Sequence, residues 1–67
     1  MAITLKAARV NAGLSQEQAA ERLKITTSTL RSWEKGTTFP TVEKIRMLED
    51  LYSVTYADII FLPSNSA

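Results

Sequence analysis

The chain has 67 residues, no cysteine, no histidine, two glycines and two prolines, and a formal net charge of +1. At this length it forms one domain that buries only roughly 60% of the surface its unfolded chain exposes, which leaves little to wall off a deep substrate cavity. Without thiols or imidazoles, disulfides and a Cys/His zinc site are excluded. The charge is unevenly placed. Residues 1–40 hold Lys6, Arg9, Arg22, Lys24, Arg31 and Lys35 against Glu17, Glu21 and Glu34, whereas residues 41–67 hold Lys44 and Arg46 against Glu43, Glu49, Asp50 and Asp58. This asymmetry hints at a polyanionic partner for the first part, although on charge alone an ordinary solvated surface is the simpler reading. Residues 1–9 lack the basic cluster and apolar run of about 7–15 residues that mark a signal peptide. The longest apolar stretch, 59–63, is far short of the ~20 residues needed to span a bilayer. A soluble, cytoplasmic module with no membrane partner is expected.

Apolar residues recur at three- and four-residue spacing, and no alternating run is long enough for a paired strand, so helix is predicted throughout. The first helix covers about residues 4–12 and stops at Gly13, suited to the left-handed conformation just past a helix end. Ser15 opens the second and forms a capping box with Gln18. Ala19, Ala20 and Leu23 share its inner face, and it ends near Lys24. After a short turn at Ile25 and Thr26, the third helix runs over about residues 27–35, turns Leu30 and Trp33 inward, and stops at Gly36. A loop through Thr37, Thr38, Phe39 and Pro40 follows. Thr41 caps a fourth helix with Val42, Ile45, Leu48 and Tyr52 at helical spacing. Thr55, with Asp58, caps a fifth, short helix reaching about Phe61, and Pro63 ends it. Helices of two to three turns are not stable alone, so an all-α globule is expected over residues 1–62, with a polar tail over 63–67.

The junction of the second and third helices carries the most information. Ala20 supplies the small residue needed where the two cross, and the turn between them is very short, the geometry of a helix-turn-helix whose second helix can enter the DNA major groove. Thr27, Ser28, Arg31 and Ser32 remain on the outer face of that helix, with Lys35 at its end. Hydroxyls pair with several base edges, and arginine fits the paired acceptors of guanine. The same residues would also make a merely soluble face.

The surrounding residues resemble the DNA-binding domain of the phage repressor and Cro family of helix-turn-helix regulators. The resemblance lies in Leu-Lys-Ala-Ala-Arg at 5–9, Ala-Gly-Leu-Ser-Gln-Glu at 12–17, Ala-Ala-Glu-Arg-Leu at 19–23, Thr-Leu-Arg-Ser-Trp-Glu-Lys-Gly at 29–36, Pro40, and Tyr-Ser-Val-Thr-Tyr-Ala-Asp-Ile at 52–59. It implies a lambda-repressor-like fold, a compact bundle of five helices, in a bacterial host or its phage. It also implies that Gln16 grips a DNA phosphate beside a helix N-terminus, and that Thr26, Thr27, Ser28 and Ser32 contact bases or phosphates, with Arg31 beside them. Lys35, Thr37 and Thr38 would hold the backbone on the far side, and Arg9 and Glu34 would form an ion pair between the first and third helices. The family's glycines are replaced by Lys24 and Ser53, Ala8 and Ala19 stand where larger apolar residues are usual (space that Trp33 would fill), and Glu49 replaces a small residue.

The apolar run Ile59 to Leu62 exceeds what one terminal helix needs. Ile59 fits the core, while Ile60, Phe61 and Leu62 are candidates for self-association. Two-fold symmetry would match a palindromic operator in double-stranded DNA with half-sites ~34 Å apart, so a homodimer is expected at least on DNA. Catalysis finds almost no support. Glu17 and Glu21 lie on an exposed face near a helix start, Glu49 and Asp50 diverge, and Ser15 has a capping role and no base to activate it. No enzyme, cofactor or metal is expected. The resemblance implies a transcription regulator, most simply a repressor acting by operator occupancy; the competing class is a protein-interaction module such as an antitoxin-like subunit.

Overall fold

The structure is a computed structural model and describes residues 2–61. In chain order it comprises β1 (Ile3–Thr4), α1 (Leu5–Asn11), α2 (Gln16–Leu23), α3 (Thr27–Lys35), α4 (Val42–Tyr52), a 3-10 turn (Tyr56–Asp58) and β2 (Ile59–Ile60). None of its helices is long and apolar enough to cross a membrane.

One device starts every α-helix. Thr4, Ser15, Thr26 and Thr41 each sit in extended conformation and accept a hydrogen bond from the backbone N–H three residues on, at Ala7, Gln18, Thr29 and Lys44. This satisfies a donor the helix itself leaves orphaned. At Ser15 the box is complete, since the Ser15 N–H donates to Gln18 Oε1 at 2.9 Å. The C-termini are equally uniform. Gly13, Lys24, Gly36 and Ser53 have positive φ. The next amide in each case reaches back five residues: Leu14 to Arg9, Ile25 to Ala20, Thr37 to Ser32 and Val54 to Glu49. These are Schellman closures, and three of the four donors (Leu14, Ile25, Val54) are apolar residues packed against the core. The α2 end gains a further partner, because Lys44 Nζ donates to the Leu23 carbonyl at 2.8 Å.

Capped at both ends, the helices bury one stripe each. Leu5 and Ala8 of α1, Ala19, Ala20 and Leu23 of α2, Leu30 and Trp33 of α3, Leu48 and Tyr52 of α4, and Ile59 make a single core. Ala19 and Ala20, fully shielded, let α2 approach its neighbours, and Trp33 is buried in the same cluster as Ala8 and Ala19. Only the lower part of the apolar face of α4 takes part, for Val42 stays 70% exposed.

The expectation of a five-helix bundle is corrected. Among the described residues there are four α-helices and a small strand pair, with β1 and β2 parallel and in register Ile3 to Ile59 and Thr4 to Ile60. The segment expected as a fifth helix is one 3-10 turn followed by β2. Thr55 does not cap it; its hydroxyl donates to Asp58 Oδ2 at 2.9 Å, and the turn is instead held by Glu49, whose Oε2 accepts the Tyr56 N–H at 2.7 Å. That bond gives Glu49 a purpose where a small residue is usual. The physical reason is local. Two consecutive β-branched isoleucines disfavour helix and suit an extended strand, and so short a segment cannot repay helix nucleation. Leu62 and the tail over 63–67 lie outside the described residues.

Lys24 and Ser53, at φ 59° and 56°, carry a left-handed cost that glycine avoids. Lys24→Gly and Ser53→Gly are each expected to stabilise the fold by about 1 kcal/mol, seen as a higher urea midpoint at unchanged slope. Lys24→Ala, which keeps the penalty, should leave the midpoint in place.

Candidate nucleic-acid interface

Because Leu30, Trp33 and Glu34 of α3 face inward, helical spacing forces the rest of its surface outward. Ser28, Arg31 and Lys35 are exposed along the middle of that stripe, and Thr27 and Ser32 are half-buried at its margins. Thr37 and Thr38 are exposed in the loop beyond Gly36. Thr26 sits at the head of α3, but its hydroxyl is already engaged by the Thr29 N–H at 3.1 Å and the Thr29 hydroxyl at 2.9 Å.

The front of α3 opens onto a cleft of about 670 Å³ lined by Lys6, Arg9, Ser15, Gln16, Glu17, Thr27 and Arg31. Arg9 is answered by the buried carboxylate of Glu34, so Lys6 and Arg31 against Glu17 leave a mildly basic trough at the N-terminus of α2, whose dipole also favours an anion. The cleft joins Gln16, Thr27 and Arg31. Ser28, Ser32, Lys35, Thr37 and Thr38 are not part of its lining, and extend from it along α3 and into the following loop.

Under this surface lies one buried polar cluster. Arg9 and Glu34 are each only 8% exposed. Arg9 Nε donates to Glu34 Oε2 at 2.7 Å and Nη2 to Oε1 at 3.3 Å, a two-pronged pair, while Nη1 donates to the Leu14 carbonyl at 2.9 Å. Glu34 Oε1 also accepts from Gln16 Nε2 at 3.1 Å. The carboxylate raises the guanidinium pKa above its already high ordinary value, against the opposing effect of burial. Removing either partner strands the other, a loss of about 3–5 kcal/mol for buried pairs. Tyr52 lies close enough to feel both charges. Its hydroxyl is buried with no hydrogen-bond partner, and burial first, then the Glu34 charge, pushes its pKa up to about 12, with Arg9 opposing.

A second face is apolar. Phe39, Val42, Tyr56 and Ile60 are 60%, 70%, 55% and 44% exposed. Phe61 is half-buried between two of them, its ring centroid 6.0 Å from Phe39 at 62° and 5.7 Å from Tyr56. Two shallow grooves run through this face. One, of about 290 Å³, is lined by Phe39, Pro40, Ile45, Tyr56 and Phe61, and the other, of about 370 Å³, by Val42, Ile45, Arg46, Glu49 and Tyr56. Of the sequence candidates for self-association, Ile60 and Phe61 join this face. Phe39, Val42 and Tyr56 were missed, although Phe39 beside Pro40 in a loop and a valine at the first position of a helix were legible signs of exposed apolar surface. Lys6 was missed as well; its place one turn before Arg9 on the same helix was the available signal.

Residues 5–59 match the family described as Helix-turn-helix. Over 56 residues the chain is 30% identical to the HTH-type transcriptional activator BcrR of Enterococcus faecalis, a match that takes in 84% of this chain. The chain spans only 28% of the length of that curated relative. No solved structure matches the chain at a significant level.

The Tyr52 phenol has a testable consequence for alkaline stability. Its folded-state pKa lies above the ordinary value of 10.0, so the stability tied to the protonated phenol is complete below that pH and is lost as pH rises through about 12. Tyr52→Phe removes the unpartnered hydroxyl. It should hold or raise the melting temperature at neutral pH and flatten the fall in melting temperature between about pH 10 and about pH 12, measured by circular dichroism against the unsubstituted protein.

Proposed function

Because this chain belongs to the Cro/C1-type helix-turn-helix family, we propose that it is a sequence-specific double-stranded DNA-binding regulator of transcription that acts as a homodimer and represses by occupying a palindromic operator. The observation that carries this reading is the continuity of the basic cleft with the outward stripe of α3. An anion-binding trough at the head of α2 abuts hydroxyls and a guanidinium free to meet base edges. In this reading Thr27, Ser28, Arg31 and Ser32 read bases, while Gln16, Thr26, Lys35, Thr37 and Thr38 hold phosphates on either side of the groove. Arg9 and Glu34 form the ion pair that fixes α3 against α1. The protein has no chemistry of its own; promoter access is the quantity it controls. BcrR bears the name of an activator, so the direction of regulation is read separately, from a reporter whose operator overlaps the promoter. Repression is the expected result, and activation overturns the occupancy mechanism.

Selection from a random duplex library is expected to recover a palindrome; a pool that fails to enrich overturns the reading. On the selected duplex, Ser28→Ala with Arg31→Ala should cost about 1–3 kcal/mol of preference over random DNA, while the variant keeps its weaker, salt-dependent affinity for any duplex.

The apolar face supports the dimer. Phe39 follows Thr38 directly, so the face begins where the backbone-holding loop ends, and a copy docked there sits beside the same edge of the DNA. The molecule measures 32 × 27 × 21 Å, which allows two adjacent copies to address half-sites ~34 Å apart. Val42→Glu, at a position 70% exposed, should leave the melting temperature unchanged and lower affinity for the full palindrome at least about tenfold without altering half-site binding. Equal losses on both duplexes would remove this face from the interface.

A further inference from the structure

Resting on the reading that Gln16 grips a DNA phosphate, we propose that Glu34 is the positioning residue for that grip: it fixes the direction of the Gln16 side-chain amide. A glutamine at the mouth of an anion cleft is ambiguous, since one end of its amide donates and the other repels a phosphate. Glu34 removes the ambiguity. Its Oε1 accepts only donors, so Gln16 Nε2, 3.1 Å away, turns inward, and its second N–H is the one left for a phosphate in the cleft. The carboxylate cannot turn aside, because Arg9 holds both of its oxygens, at 2.7 and 3.3 Å, and is itself anchored on the Leu14 carbonyl at 2.9 Å. Glu34 belongs to α3 and Gln16 to α2, so one carboxylate ties the helix that would read bases to the group that would hold the backbone.

The charge of Glu34 argues against any direct role toward DNA. A carboxylate beside a phosphate site repels the ligand, so Glu34 does not itself hold DNA. If Glu34 were only the counter-ion that seats α3 through Arg9, neutralising it would change binding to the same extent with or without Gln16. If it positions Gln16, the loss is present only while Gln16 is. The two readings differ in that dependence.

The test is a double-variant cycle of Gln16→Ala and Glu34→Gln on the full chain. Affinity is measured for a selected duplex and a random-sequence duplex of equal length, at a temperature where circular dichroism shows every variant folded. Gln16→Ala is expected to weaken both duplexes by about tenfold, the worth of one charge-assisted hydrogen bond. Glu34→Gln is expected to weaken both at least several-fold despite the loss of a negative charge, and the double variant to bind no worse than Gln16→Ala. In the free protein, one Gln16 side-chain amide proton should be shifted and protected from exchange in 1H–15N spectra, and should lose both properties in Glu34→Gln. Glu34→Asp keeps the charge opposite Arg9 but shortens the reach to Gln16, and should be as weak as Glu34→Gln. The inference is overturned if Glu34→Gln binds as tightly as the unsubstituted protein, if its loss persists undiminished without Gln16, or if Glu34→Asp restores full binding. Should Gln16→Ala leave both duplexes unaffected, the phosphate grip itself falls, and the positioning role with it.

Discussion

The carboxylate of Glu34 organises the part of this molecule that matters most. It is buried, and among the described residues the cation paired with it is the guanidinium that α1 supplies. A lone buried carboxylate is untenable, and so is a lone buried guanidinium. The structure has both, at 2.7 Å, with a further Arg9 donor on the Leu14 carbonyl and one Gln16 N–H on the same carboxylate. That requirement fixes three things together: the approach of α3 to α1, the path of the turn before α2, and the head of α2. Apolar packing would tolerate small slips of one helix over another. A hydrogen-bonded ion pair tolerates fewer, because each slip leaves a buried donor or acceptor unmatched.

Short helices make such anchoring necessary. With two to three turns apiece they have little intrinsic stability, so the chain spends polar side chains at almost every terminus. Four hydroxyls cap the starts, four left-handed residues close the ends, Lys44 adds a partner to the last turn of α2, and Glu49 holds the 3-10 turn. The strand pair serves the same end. By joining Ile3 and Thr4 to Ile59 and Ile60, it ties the start of the chain to a segment beyond α4 and seats Ile59 in the core, with Ile3 packed against it.

Much of this was legible in the sequence, and the boundary between what was and was not is physical. Ser15 with Gln18, Gly13, Gly36 and the spacing of Leu30 and Trp33 are local signals. Each acts over four residues or fewer, and each helix limit read from them stands close to the observed one. The fifth helix failed because its fate was decided at long range. Ile59 and Ile60 look like the apolar side of a short helix until Ile3 and Thr4 offer them a strand partner more than fifty residues away. Val42 misled in a milder way, since helical spacing marks a face without saying how far along its length a neighbour covers it. In the candidate site, the outward stripe of α3 followed from its inward residues. The attachment of Gln16 to Glu34 did not, because no pattern in the sequence joins two side chains on separate helices.

The two exposed faces raise opposite physical demands and sit side by side. One is basic, hydroxyl-rich and suited to a ligand whose shell of counterions is released on contact. The other is aromatic and gains by excluding water. A molecule with only the first would bind duplex DNA weakly through a small footprint, and one with only the second would associate without regard to any template. They meet at Thr38 and Phe39, so in the proposed dimer a second copy seated on the aromatic face would bring a second basic face to the same side. The buried ion pair then acquires a further significance. In the proposed dimer, pairing two half-sites would demand that each copy present α3 at a defined angle, and within each copy the bond between Arg9 and Glu34 ties α3 to α1.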